Sequence, residues 1–194
     1  MNANDNRPEL RSSRLWLRPF QSADEKRMEE LINDREIAAN TRSIEYPYPQ
    51  GAAIQWIESH PQLWIEGKSA VFAISKPNGD LMGAIGLHID SANHNAELGF
   101  WMGREFRNLG FTSEAARAVL RFGFGQLALR KIHASHLARN PASGRVMLKV
   151  GMKQEGYFRQ HFRKWGVFED VVYYGILAQE FDQTENFGQT PPAM

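Results

Sequence analysis

The chain has 194 residues, 42% hydrophobic and 23% charged, which suits one α/β domain with a sizeable core. A formal net charge of +1 supplies no global field for nucleic acid or an acidic membrane surface, and the absence of cysteine excludes disulfides, thiolate metal sites and a cysteine nucleophile. No run approaches the roughly 18 apolar residues of a membrane helix, and Met1 to Arg11 lacks the apolar stretch of a signal peptide, so the expectation is a cytoplasmic protein with no membrane partner.

Residues 1–10 and 182–194 are polar and read as flexible ends around an ordered core of about 11–181. Leu15-Trp16-Leu17 reads as a first strand, and Ser22-Ala23-Asp24 opens a helix with Met28, Leu31 and Ile32 on one side. Tyr46-Pro47-Tyr48-Pro49 predicts a surface loop, because each proline restricts the residue before it. A helical stretch with Ile54, Trp56 and Ile57 follows, which Pro61 is expected to interrupt. Ala70 to Ser75 and Leu81 to Ile89 flank Asn78-Gly79, a strong hairpin signal, and Asn93-His94-Asn95 turns the chain into Ala96 to Met102. Three antiparallel strands therefore precede the loop Arg107 to Thr112.

A helix follows that loop, with Ala115, Val119, Phe122, Ala116, Leu120 and Gly123 inward and Glu114, Arg117 and Arg121 facing away. Lys131 to Leu137 reads as a strand, and Asn140-Pro141 opens a helix that stops at Gly151. Gln154 to Lys164 and Val171 to Leu177 flank Gly166 as a closing hairpin. The sum is an α+β fold: a mixed sheet with helices on its faces, in one domain.

Strand, glycine loop and helix start in that order leave backbone N–H groups unpaired at a positive helix end, which suits a phosphate. The loop lacks the Gly-Lys-Ser/Thr ending of a nucleotide P-loop, and Gly110 alone is equally an ordinary turn glycine.

The surrounding pieces are more specific. They are Ser13 to Arg18, Glu97-Leu98-Gly99-Phe100-Trp101-Met102, Gly110 to Ala115, Asn140-Pro141-Ala142-Ser143-Gly144-Arg145-Val146, Lys149 to Met152, Glu155-Gly156 and Asp170. Together they resemble the GNAT superfamily of N-acetyltransferases, and within it the RimJ/RimL-type branch that acetylates N-terminal amines of ribosomal proteins. The resemblance covers nearly the whole chain. It implies a mostly antiparallel central sheet with helices on both faces, the strands splayed at the site of acetyl-CoA, and no metal.

On that resemblance, Arg107, Asn108, Leu109, Gly110, Phe111 and Thr112 would hold the pyrophosphate. The pantetheine arm would pair with Gly99 to Met102, including Phe100, Trp101 and Met102, where this strand parts from Lys131 to Leu137. The thioester would point at the gap between the strands near Ser143, and Asn140 would contact the cofactor. Two positions depart from the usual loop: Thr112 replaces a small final residue, and Asn108 stands where the branch often has glycine. Met147 occupies the place of a tyrosine that protonates the leaving thiol in many members, and the branch often assigns that role to a serine, here Ser143.

Glu97 is the candidate base, acting through a water, and a backbone N–H near Phe100 to Met102 would face the oxyanion. An α-amine, with a pKa of about 7.7–8.0, needs little help, whereas lysine would need about 3 pK units more, roughly 4 kcal/mol. Simpler roles stand beside these. Asn140 and Ser143 suit helix capping, Glu97 suits a strand-edge ion pair, and Arg107 suits a solvated loop. Trp101, Tyr46 and Tyr48 suit either the acceptor pocket or the core. His133 and His136 lie at odd spacing on one strand, which argues against a shared metal. The basic, aromatic run Phe158 to Trp165 could touch RNA, but alternating strand faces explain it as well.

The expected function is transfer of acetyl from acetyl-CoA to a primary amine by direct attack in a ternary complex. The amine is a protein N-terminus or, alternatively, a small molecule such as a polyamine, amino sugar or amino acid. A module that binds acyl-CoA without turnover is the other class. Nucleic acid enters only through a ribosomal target, and the protein is expected to be a monomer or homodimer.

Overall fold

The computed structural model describes residues 6–181. Of the expected flexible ends, residues 1–5 and 182–194 lie outside the described residues. Eight strands form one sheet: β1 (Leu10–Arg11), β2 (Trp16–Arg18), β3 (Ser69–Ser75), β4 (Leu81–Asp90), β5 (Asn95–Met102), β6 (Lys131–Leu137), β7 (Lys153–Lys164) and β8 (Val167–Leu177). Their order is β1-β2-β3-β4-β5-β6-β8-β7, antiparallel throughout except where β5 meets β6. Helices α1 (Glu25–Ile32), α2 (Arg35–Asn40), α3 (Ala52–Ile65), α4 (Phe111–Gly125) and α5 (Pro141–Lys149) cover it. None of the described helices is long and apolar enough to cross a membrane.

Alternation along the strands divides the sheet into two apolar faces. Phe72, Ile74, Ile85, Leu87, Leu98 and Ile132 pack under Ala116, Val119 and Leu120 of α4 and Met147 of α5. Ala73, Ala84 and Trp101 point the other way, against Met28, Ile32, Ile37 and Ile57 of α1 to α3. Burying each such aliphatic or aromatic side chain contributes about 1.5–3 kcal/mol.

Three local outcomes differ from the sequence reading. α2 was not anticipated, because six residues are too few to show a helical period; its start is fixed by Asp34, whose Oδ1 accepts the Glu36 amide at 2.8 Å. Pro61 does not interrupt its helix, since α3 continues to Ile65. An interior proline costs about 3 kcal/mol. Here Ala53, Ile57 and His60 are buried ahead of it and Trp64 packs on Phe122 beyond it, so tertiary contacts hold the helix on both sides. Finally, Glu114 does not simply face solvent. It accepts hydrogen bonds from Ser12 Oγ (2.8 Å), Arg14 N (3.0 Å) and Arg14 Nε (2.7 Å), latching the segment between β1 and β2 onto the first turn of α4.

Candidate active site

β5 and β6 pair over only three positions, Asn95 with Lys131, Ala96 with Ile132 and Glu97 with His133. β5 stays paired to β4 along its whole length, and β6 stays paired to β8. Beyond Glu97 and His133 the two strands therefore diverge, and each exposes main-chain N–H and C=O groups along one edge. Such an edge needs partners.

Two cavities open from this gap, each of about 410 Å³. The first lies between the start of α4 and the start of α5, and its lining includes Met102, Asn108, Gly110, Thr112, Arg145 and Lys149. The second lies under α1 to α3, and its lining includes Ile32, Tyr48, Trp56, Gly86, Glu97 and Gly99. They share Asn40, Thr41, Phe100, Trp101 and Ser143.

The loop before α4 takes its shape from two left-handed residues, Asn108 at φ 62° and Gly110 at φ 81°. Only glycine adopts such angles freely, and asparagine is the side chain that tolerates them best. A Cβ on Gly110 would stand 3.5 Å from the Arg14 guanidinium, an ordinary contact, so it is the backbone angle that calls for glycine rather than want of space. The Glu114 amide makes the first intrahelical bond, to the Gly110 carbonyl at 3.1 Å. The amides of Phe111, Thr112 and Ser113 thus point out of the helix end with no carbonyl behind them in α4.

Among the expected phosphate-loop residues, Asn108, Gly110, Thr112 and Arg107 line the first cavity, whereas Leu109 and Phe111 do not. Leu109 is exposed, and its carbonyl accepts from Arg14 Nη1 at 3.2 Å. Phe111 lies beneath the Arg14 guanidinium. Arg107 is not a free cation. Its Nη1 donates to Glu36 (2.7 Å), its Nη2 to Asp34 (3.0 Å) and its Nε to the Met102 carbonyl (3.1 Å). It ties the loop to α2. Partial burial works against the Asp34 charge, but the Glu36 amide and the Arg104 and Arg107 guanidinium groups hold its carboxyl below the usual value.

Asn140 sits at the N-cap of α5 with Pro141 as the first helical residue, yet its side chain makes no capping bond. Its Nδ2 donates instead to Ser143 Oγ at 3.0 Å. A hydroxyl that accepts there keeps its own proton free to donate elsewhere, into the space where the cavities meet. Met147 is buried in the core and offers no proton.

Glu97 begins the divergence. Its Oε1 is bound by Arg42 Nη2 and lies 3.5 Å from Ser135 Oγ. Register sets His88 on one side of it and His133 on the other. Burial pushes the His133 imidazole below its ordinary pKa, with the Glu97 charge pulling the other way. His136 points to the opposite face, where its Nδ1 meets the Leu137 carbonyl at 2.8 Å and its ring stacks on Tyr174. Among the described residues no cluster of three His, Asp or Glu suits a metal ion.

Trp101 and Tyr48 line the second cavity; Tyr46 does not. Burial, with Glu29 nearby, raises the Tyr48 phenol, so it stays neutral. The residues missed by sequence reading are Asn40, Thr41 and Arg42, at and just after the end of α2; Asn40 and Thr41 line both cavities and Arg42 lines the second. Arg139 Nη1 binds Asn40 Oδ1 at 2.9 Å and Lys164 Nζ binds the Ile44 carbonyl at 2.9 Å, which pins this segment across the gap. No local pattern reveals it, because its partners lie about a hundred residues away.

Residues 14–153 match the family model described as an acetyltransferase (GNAT) domain. Over 177 residues the chain is 30% identical to YoaA of Bacillus subtilis, an uncharacterized N-acetyltransferase, covering 88% of this chain and 97% of that protein. A 36% identical match to YnaD of the same organism, also an uncharacterized N-acetyltransferase, covers 53% of this chain and spans 60% of that relative's length. Among solved structures, RimL, a ribosomal L7/L12 alpha-N-protein acetyltransferase in complex with coenzyme A, has a TM-score of 0.81 at 20% identity, covering 88% of this chain and 98% of its own. Spermidine N-acetyltransferase from Vibrio cholerae, in complex with CoA and spermine, has a TM-score of 0.76 at 23% identity, covering 88% of this chain and 99% of its own. At these identities the likeness is one of fold.

Proposed function

The chain belongs to the GNAT acetyltransferase family, and from that premise we propose that it transfers acetyl from acetyl-CoA to a primary amine. The observation that carries this reading is the meeting of two cavities at Ser143, Phe100 and Trp101, where β5 and β6 part. One cavity then serves the cosubstrate and the other the amine.

The residues present fit a coenzyme A. The outward amides at the start of α4 and the left-handed Asn108–Gly110 turn suit a diphosphate. The unpaired edge of β5 suits an amide-bearing arm, added as one more strand. When bound, acetyl-CoA supplies the thioester: a C–N bond forms, the C–S bond breaks, and the products are an acetamide and free thiol. Glu97 takes the proton lost by the amine, through a water. An N–H of Phe100 to Met102 faces the developing oxyanion. Ser143, oriented by Asn140, donates to the departing sulfur.

A protein N-terminal amine is the acceptor suggested by RimL; a small-molecule amine is suggested by the spermidine enzyme. Thiol release from acetyl-CoA with a panel of amines tests the reading. Amine-dependent release, lost by about 100-fold or more in Ser143→Ala, is the expected result. A chain that binds acetyl-CoA and releases no thiol with any amine is instead a binding module, a class that Met147 in place of a proton donor would suit.

A further inference from the structure

The amine-binding cavity has a floor whose composition selects among amines. Residues 97, 99 and 101 of β5 share one sheet face, as do residues 84, 86 and 88 of β4. Register pairs them in three rows: Trp101 with Ala84, Gly99 with Gly86, and Glu97 with His88. The middle row carries no side chain at all. A Cβ on Gly86 would strike the Ala70 carbonyl at 2.9 Å and Val71 Cγ2 at 3.0 Å, so packing keeps that position bare. Gly99 is different. Its φ is not left-handed, and no heavy atom lies within 4 Å of where its Cβ would stand. Neither backbone geometry nor crowding calls for glycine there. What it leaves is space, over two facing stretches of bare, planar backbone.

The walls above that patch carry apolar and aromatic side chains, Trp101, Trp56, Tyr48 and Ile32 among them, with neutral polar ones such as Thr41 and Ser43 beside them. The charge is correspondingly small. Glu97 is the carboxylate of the lining, and Arg42 is ion-paired to it in the same lining. A ligand with two or more ammonium groups would bring a second cation into a lining whose one carboxylate already holds Arg42. A ligand with one ammonium group, sharing Glu97 with Arg42, and a flat or bulky apolar body over Gly86 and Gly99 confines its charge to the one end of the cavity that has a carboxylate.

We propose that the acceptor is a primary amine with a single positive charge on an aromatic or bulky apolar body, and that polyamines are poor acceptors. This rests on the acetyltransferase reading above. The bare Gly86–Gly99 patch is the specificity element, and Glu97 is the end at which the nitrogen sits.

The test uses the full chain with acetyl-CoA and three acceptors: phenylalaninamide, glycinamide and spermidine. The first two offer the same kind of α-amine and differ in the body it carries. The expected kcat/KM for phenylalaninamide exceeds the other two by tenfold or more. Gly99→Leu, which fills the space over the patch, brings the phenylalaninamide-to-glycinamide ratio down at least fivefold; a ratio within one enzyme is independent of how much of it folds. Spermidine equal to or better than phenylalaninamide overturns the proposal, as does an unchanged ratio in Gly99→Leu. If no amine is acetylated, the enzymatic reading fails. Binding then decides this one, by quenching of tryptophan fluorescence with coenzyme A present. Saturable phenethylamine binding, at least tenfold tighter than spermidine, supports it, and equal or absent binding overturns it.

Discussion

Asn108 and Gly110 adopt the same left-handed backbone for different chemical reasons. Glycine has no Cβ to clash, while asparagine offsets the clash with a short polar side chain that bonds locally. Asn108→Gly is therefore expected to fold and to bind acetyl-CoA like the parent. Gly110→Val forces a β-branched residue to φ 81° at the helix start, and is expected to weaken acetyl-CoA binding at least tenfold. Its melting temperature should fall far less than the binding does. Calorimetric titration beside a thermal melt separates these; unchanged affinity would remove the loop from the phosphate site. Glu97 makes a second residue-level case. An α-amine with a pKa of about 8 is mostly protonated at pH 6 and mostly neutral at pH 9. Glu97→Gln should thus lower kcat/KM by about 100-fold at pH 6 and much less at pH 9. Equal rates for parent and variant at both pH values would take Glu97 out of the mechanism.

Among the elements, α3 shows how packing overrides local preference. His60 and Pro61 sit side by side in it, and neither favours a helix interior. His60 is held edge-on against Trp56 and Phe20 and is buried. Burial, with the Arg7 and His88 charges, lowers its imidazole to about 4. The unfolded chain takes up that proton near 6.5 and the folded chain only near 4. The stability this group contributes is complete above pH 6.5 and drains away as pH falls towards 4, by about 3 kcal/mol. Denaturation by urea across that window checks it. His60→Phe keeps a ring in the cage and is expected to flatten the decline between pH 6.5 and 4, leaving the carboxylate-driven loss below pH 4 in place. α2 is the complementary element. Asp34 and Glu36 at its start hold Arg107, Asn40 and Thr41 at its end line both cavities and Arg42 beyond them lines the second, so one short helix joins the loop before α4 to both cavities.

At the scale of the whole molecule, the fold is a continuous antiparallel sheet on either side of one parallel junction. Three pairings hold that junction at one end, and the other end stays open because α5 begins beside it and Arg139 and Lys164 prop the 40–44 segment across it. Hydrogen exchange should reflect this. Peptides of β3 and β4 are expected to be well protected without ligand. The segment Leu98 to Met102 should gain protection on adding acetyl-CoA, since an added strand would occupy its free edge. No change there, with binding confirmed separately, would argue against strand addition.

The sequence by itself determined the order of the elements apart from β1 and α2. Asn78-Gly79, Gly151 and Gly166 mark turns whose chemistry is local, the apolar runs of β3 and β4 mark strands, and the spacing in α4 states which side each of its residues buries. It also determined the loop before α4, because a left-handed glycine between a strand and a helix is a property of a few consecutive residues. Only the tertiary structure decided which side chains are at liberty. Arg107 reads as a phosphate cation but is engaged by Asp34 and Glu36, Glu114 reads as solvent-facing but latches residues 12–14, and Asn140 reads as a cap but orients Ser143. The bare Gly86–Gly99 patch and the Arg42–Glu97 pair are equally invisible along the chain. The physical reason is range: turn and period signals act over a few residues, whereas an ion pair or a cavity forms between segments dozens to a hundred residues apart, once the sheet has set their register.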